Sequence, residues 1–287
     1  MTTGSRCSRR RRKRSSKARM IFEALLLNTA ILVALVLIQW RLSVRINDVS
    51  FVDAFWGAGM GVMALVSYFQ LDTPGALAVL LTVMTCAWGF RLGAYLFARW
   101  WKEGEDKRYK QILKKDREKE SFAFAALTKV WLGQAALLMA VSSPAQVGIL
   151  ASAQPAPITA LAYAGLAVYL IGIFFEWVGD WQLVRFKSDP DNEDKVLNTG
   201  LWRYTRHPNY FGDFMAWWGI WLVCASAGWE YALYTVVGPL FLTFTLTKWS
   251  GVSLTEKNMD KSKGDKYADY KRRTSSFFPL PPQSPAD

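Results

Sequence analysis

Histidine and cysteine are nearly missing from this chain, which has one histidine and three cysteines in 287 residues. Cys7, Cys86 and Cys224 are scattered, and no pair has the spacing of metal ligands. A zinc site and a disulfide framework are thereby excluded, and no metal is expected. Acidic residues are missing from residues 1–19, which hold nine Lys or Arg. That short tract accounts for most of the net charge of +12. The rest is close to balanced, so a basic nucleic-acid-binding domain is excluded. Internal repeats and long linkers are also absent. One domain is expected, residues 20–280, with a basic disordered tail at 1–19 and a short tail at 281–287.

Long apolar runs are abundant. Met20–Trp40 is long enough to cross a hydrocarbon core, which takes roughly 20 helical residues. Comparable runs recur at Phe51–Gln70, Gly75–Ala98, Ala123–Val147, Ile158–Trp181, Pro208–Ala227 and Tyr231–Thr247. In lipid only helices and closed barrels satisfy their own backbone, and continuous rather than alternating runs select helices. The expected fold is an all-α, polytopic integral membrane protein of about seven transmembrane helices. A short C-terminal amphipathic helix, Thr255–Arg273, completes it. Polar segments at 99–121, 187–207 and 248–287 share one side if all seven runs cross. The N-terminus then lies opposite, against the bias that keeps basic residues cytoplasmic.

Ionisable side chains inside spans are expensive and usually face a partner or a cavity. Glu176 and Asp180 lie four apart on one face of the fifth run, with Lys187 beyond them. Two like charges there need donors, a cation or a shared proton. Arg91, Tyr95 and Arg99 follow one face of the third run, and Asp53 opens the second. Asp53 also suits a plain helix start, where the dipole favours an acid. The densest cluster is NTGLWRYTRHPNYFGD, with Arg203, Arg206 and His207 just before Pro208, then Asn209, Tyr210 and Asp213. Two arginines at a helix N-terminus form a good anion site. Dinucleotide phosphates, the carboxylate of an amino-acid-derived cofactor and an anionic lipid headgroup all fit it. In the tail, Tyr267 and Tyr270 share a helix face. That helix either lies on the membrane or folds back over a cofactor pocket.

The run GLWRYTRHPNYFGDFMAWWGIWL resembles the steroid 5α-reductase-like integral membrane family. FEWVGDWQLVRFK precedes it, KYADYKRRTSSFFP follows, and NDVSFVDAFWGAGM and WGFRLGAYLFARWWKEGEDKRY strengthen the likeness. RHPNY alone is shared with isoprenylcysteine-type methyltransferases. The resemblance implies an NADPH-dependent reductase, with NADH as the second choice. Its substrate would be a lipid-soluble molecule with a carbon–carbon double bond conjugated to a carbonyl. The cofactor half is then about 158–280, with Asp180, Lys187, Asn209 and Asp213 as contacts and Arg91, Tyr95 and Tyr270 more loosely. The anion-site argument adds Arg203, Arg206 and His207, and Glu176, Tyr210 and Tyr267 complete the set. Steroid reductases pair a second-span glutamate with a third-span tyrosine, and the nearest counterparts here are Asp53 and Trp88. Tyr95 is the substitute tyrosine, so Asp53 and Tyr95 are the catalytic candidates. A methyltransferase using S-adenosylmethionine and a non-catalytic membrane scaffold are the alternatives. The expected place is the endoplasmic reticulum or another endomembrane of a eukaryotic cell, among membrane lipids.

Overall fold

The computed structural model describes residues 3–283, with side chains from Ser15 onward. The chain is an all-α membrane protein. Its helices are α1 (Thr3–Ile46), α2 (Val52–Phe69), α3 (Ala76–Glu103), α4 (Lys107–Glu118), α5 (Phe122–Ala151) and α6 (Ala160–Lys187). They continue with α7 (Pro208–Ala225), α8 (Trp229–Thr235), α9 (Val237–Phe244), α10 (Val252–Lys263) and α11 (Asp265–Arg273). Helical backbone runs back from the first span to Thr3, where a disordered tail is expected from the sequence. Arg and Lys are good helix formers, so a span already helical propagates into them. The basic side chains before Ser15, and residues 284–287 of the expected C-terminal tail, lie outside the described residues.

Five helices, α1, α2, α3, α5 and α6, are long and apolar enough to cross a membrane. The sixth expected run is α7, of 18 residues, whose first two turns carry Asn209 and Asp213 and lower its hydropathy. The seventh is broken into α8 and α9. Pro239 explains the break: it has no N–H for the Thr235 carbonyl, and its ring crowds that turn.

The chain gathers into two compact units. One comprises Met1–Thr159 with Val223–Thr235, the other Ala160–Leu222 with Val236–Asp287. In the first unit, α2 and α3 run antiparallel in close contact through small residues. A methyl on Gly57 would lie 3.1 Å from the Gly89 carbonyl, and one on Gly93 would lie 3.0 Å from the Ala54 carbonyl. Small residues let helices approach in lipid, where packing rather than hydrophobicity joins them. Asn28 on α1 donates to Ser67 Oγ on α2 and to Gln146 Oε1 on α5, both at 2.7 Å, and ties three spans together inside the unit. At the starting end of α1, Ile21 and Ala24 pack with Leu150, Ala151, Leu71 and Tyr231. At its other end Ser43 accepts a hydrogen bond from Trp131 Nε1 at 3.1 Å.

Candidate functional site

In the second unit the site is set by the α6–α7 crossing. Gly165, Gly172 and Gly179 recur every seven residues on α6 and meet Gly219, Gly212 and Pro208 on α7. A methyl on Gly172 would stand 2.7 Å from the Gly212 carbonyl, and one on Gly219 would stand 2.7 Å from the Gly165 carbonyl. The backbones therefore touch, and α6 presents its acids to the first turns of α7. Glu176 is 1% exposed with its backbone against Gly212, and Asp180 is 3% exposed. Asp180 Oδ1 accepts a hydrogen bond from Asn209 Nδ2 at 3.0 Å. Three polar residues expected from the sequence thus come together.

The turn before α7 rests on the end of α6. Trp202 Nε1 donates to the Gly179 carbonyl at 3.1 Å, and Leu201 N donates to Gln182 Oε1 at 3.0 Å. Gly200, at φ +60°, lets the chain make this approach.

The tail then folds back over the turn, as one of the two sequence readings has it. Arg206 is its anchor. Its Nε and Nη2 grip Glu256 Oε1 at 2.8 and 2.7 Å, and Nη1 donates to the carbonyls of Lys271 (3.1 Å) and Thr274. The Arg206 backbone N–H donates to the Ser275 carbonyl at 2.9 Å, and Thr205 Oγ1 donates to that of Phe277 at 2.9 Å. Tyr270 donates its hydroxyl to the Trp202 carbonyl, and Tyr210 and Thr255 hydroxyls meet at 3.2 Å.

Arg206, expected at an anion site, has its guanidinium engaged by the tail. His207 lies beside it. It is 3% exposed and stacked on Tyr210 at 5.2 Å, with Nε2 facing Glu256 at 3.4 Å but outside hydrogen-bond alignment. Burial holds its pKa below the ordinary value, outweighing the carboxylate that would raise it. Glu256 is held low in turn: burial raises it, but the neighbouring His207 ring and the Arg206 guanidinium prevail. Tyr267 and Tyr270 are buried, and burial pushes both hydroxyls up. Both belong to the fold-back. Arg203 and Lys187 remain exposed, and Asp213 is half-buried on α7.

In the first unit Asp53 is joined to residues that the sequence reading leaves out. Asp53 Oδ2 takes Arg108 Nη2 at 2.6 Å, and Oδ1 accepts from the Tyr109 hydroxyl at 2.7 Å. Arg108 also pairs with Asp106 at 3.0 Å, and Asp106 caps α4 by accepting from Arg108 N at 2.8 Å. Burial and the Asp53 carboxylate push the Tyr109 hydroxyl up. Tyr95 is not Asp53's partner; its ring carries the Arg91 guanidinium at 5.3 Å on the same face of α3. The signal for Tyr109 lies in DKRYKQIL, an Asp cap followed by Tyr109 and Leu113 at helical spacing. Nothing in the sequence shows that this helix returns to Asp53.

Residues 39–274 match a family described as protein of unknown function (DUF1295). The chain belongs to this family. It is a steroid 5-alpha-reductase-like family, as the NYFGD and KYADYK segments suggest. A steroid 5-alpha-reductase DET2 from Gossypium hirsutum is 35% identical over 74 residues. That similarity takes in 25% of this chain and 28% of the cotton protein's length. No solved structure matches the chain.

Proposed function

We propose that this family member is a membrane reductase that uses a nicotinamide dinucleotide, NADPH before NADH, to reduce a double bond conjugated to a carbonyl in a lipid-soluble substrate. The observation that carries the reading is the α6–α7 crossing, where Glu176, Asp180 and Asn209 form a buried polar group beneath a turn closed by the tail. The similarity to the cotton reductase supports the reaction class.

The residues present fit a dinucleotide, though not in the way two arginines before a helix suggest. Arg206 and His207 shape the site by closing the tail over the turn. Arg203 and Lys187 are exposed cations without an ion pair among the described residues, and they would take the phosphates. Asp180, Asn209, Asp213 and Tyr210 would offer polar contacts to ribose and amide groups. The bound nicotinamide would supply hydride to the double bond. The protein's share is to bind, orient and exclude water. Asp53, which the sequence offers as the acid, is already held by two donors, so its direct part in this reading is to fix α4 on α2.

The test is a thermal-shift series on the detergent-purified full chain with NADPH, NADH and S-adenosylmethionine. Stabilisation by a nicotinamide dinucleotide alone is expected, and Arg203→Ala with Lys187→Ala should weaken it about tenfold or more. Stabilisation by S-adenosylmethionine alone would place the chain among lipid methyltransferases instead. No shift with any of the three would favour a membrane scaffold.

A further inference from the structure

The aromatic residues around the start of α2 place their indole N–H groups with care. Trp40 Nε1 donates to the Ala123 carbonyl at 2.8 Å, Trp100 Nε1 to Asp48 Oδ2 at 2.8 Å, and Trp131 Nε1 to Ser43 Oγ at 3.1 Å. Trp56 differs. Its Nε1 is buried and has no hydrogen-bond partner among the described residues. It lies in the apolar span of α2, one turn beyond Asp53, with its ring edge-on to the fully buried Trp88 at 6.3 Å.

A buried indole N–H normally finds an acceptor. Leaving one unpaired costs about 1–3 kcal/mol, and within hydrocarbon no water is at hand to relieve it. A donor kept in such a place is open to an acceptor brought by another molecule. The surroundings restrict that molecule. Beside the group are Trp88 and the small-residue crossing of α2 with α3, both within candidate membrane spans. The charges nearby on α2 and α3 are already engaged, Asp53 with Arg108 and the Arg91 guanidinium over the ring of Tyr95. At hydrocarbon depth a charged ligand is expensive, so the acceptor is a neutral oxygen on a lipid-soluble body.

We propose that Trp56 Nε1 is the hydrogen-bond donor that holds the carbonyl oxygen of a neutral, lipid-soluble ligand, with the indole of Trp88 walling its apolar body. In assigning that ligand as substrate the inference rests on the reductase reading. Indole donates a hydrogen bond but does not give up its proton. Trp56 would therefore position and polarise the carbonyl, and any proton delivered to the product would come from elsewhere.

The experiment replaces Trp56 in the full-length, detergent-purified protein by benzothienylalanine, which keeps the bicyclic ring and removes the N–H. The same replacement at Trp131 is the comparison. Melting temperature without ligand is measured first, then the affinity for a 19-carbon steroid 4-en-3-one and for its 3-deoxy counterpart. At position 56 the ligand-free melting temperature should stay the same, whereas at position 131 it should fall because the bond to Ser43 is lost. The position 56 protein should bind the ketone about three- to tenfold more weakly and the deoxy compound as before. A lower melting temperature at position 56 would show a structural partner for the N–H and overturn the proposal. So would equal effects on both steroids, no effect on either, or a wild-type chain that binds neither. NADPH stabilisation is recorded on the same samples. If it persists while the steroid result fails, only the Trp56 assignment falls. If wild type shows no NADPH shift but ketone binding still depends on the indole N–H, the reductase reading falls and a ketone-binding site remains.

Discussion

Two antiparallel helix pairs, α2–α3 in one unit and α6–α7 in the other, cross on glycine, yet they hold their carboxylates differently. Asp53 stands in the first turn of α2 and takes its donors, Arg108 and Tyr109, from the next polar helix along the chain. Glu176 and Asp180 sit well inside α6, where the close approach of α7 brings Asn209 to Asp180. One cation of that second region is used elsewhere: Arg206 holds the returning tail through Glu256 and two carbonyls. An acid at a helix start, within reach of a polar loop, becomes a lock between elements. Acids within a span are instead held where a second helix comes close enough to bring them a neutral amide donor.

The largest expected effect tests the crossings themselves. At Gly212 an added methyl would meet the Gly172 carbonyl at 2.6 Å, a separation that forces two backbones apart. At Gly57 the nearest atom would lie at 3.1 Å, which a small adjustment can absorb. Gly212→Ala is expected to cost about 3 kcal/mol or more, and Gly57→Ala about 1 kcal/mol, in the range of overpacked cores. Melting temperatures of the two purified variants decide the matter. Equal losses would mean that the backbone at Gly212 gives way as readily as that at Gly57.

A smaller effect separates the two charge clusters. Arg206→Ala strands Glu256 beside His207 and frees two carbonyls of the tail, with an expected loss of about 3 kcal/mol as for other largely buried pairs. Asp53→Asn leaves Arg108 its Asp106 partner, and the Arg108 side chain is 40% exposed, so the loss should be about 1 kcal/mol or less. Limited proteolysis gives an independent reading: cleavage within 252–283 should rise sharply in the first variant and stay unchanged in the second. A tail equally protected in both would show that Arg206 is not the anchor.

Much of this was open to reading from residue types and spacing. Apolar length gave the spans, and the paired acids on α6 pointed to the polar centre that Asp180 and Asn209 form. Tyr267 and Tyr270, three apart, marked the face by which the tail returns. Sequence proximity left out the long-range partner of Arg206 and His207. Two cations before a helix look like an anion site, but their partner, Glu256, lies about 50 residues further on, and no local pattern joins them. The partners of Asp53 were hidden for the same reason, because they belong to a polar loop that reads as solvated. Pro239 did carry its signal openly. Its effect on the seventh run follows from the bond it cannot make to Thr235, which a count of apolar residues ignores.

The smallest expected effect is a difference in response to pH. His207 is the chain's one histidine, and its folded pKa lies below the ordinary 6.5 because it is buried. An opening that hydrates its ring lets it take up a proton that the closed form resists. Stability from closure is therefore complete above pH 6.5 and falls as the pH drops below that value, by at most about 1.4 kcal/mol per pH unit. Glu256 is also held below its ordinary 4.5, so its contribution is lost later, as the pH falls beneath that value. The Asp53 cluster has no histidine among its partners, and Asp106, despite its burial, is held low by Arg108. Between pH 7 and pH 5, proteolysis of 252–283 should increase while cleavage in α4 stays constant. His207→Gln, which keeps a polar side chain but removes the titration, should flatten the response of the tail. A tail whose protection does not change over that range, in a chain that still melts cooperatively, would mean that His207 is not exposed by the opening. The clamp would then work through Arg206 alone, with pH dependence confined to the carboxylate range in both units.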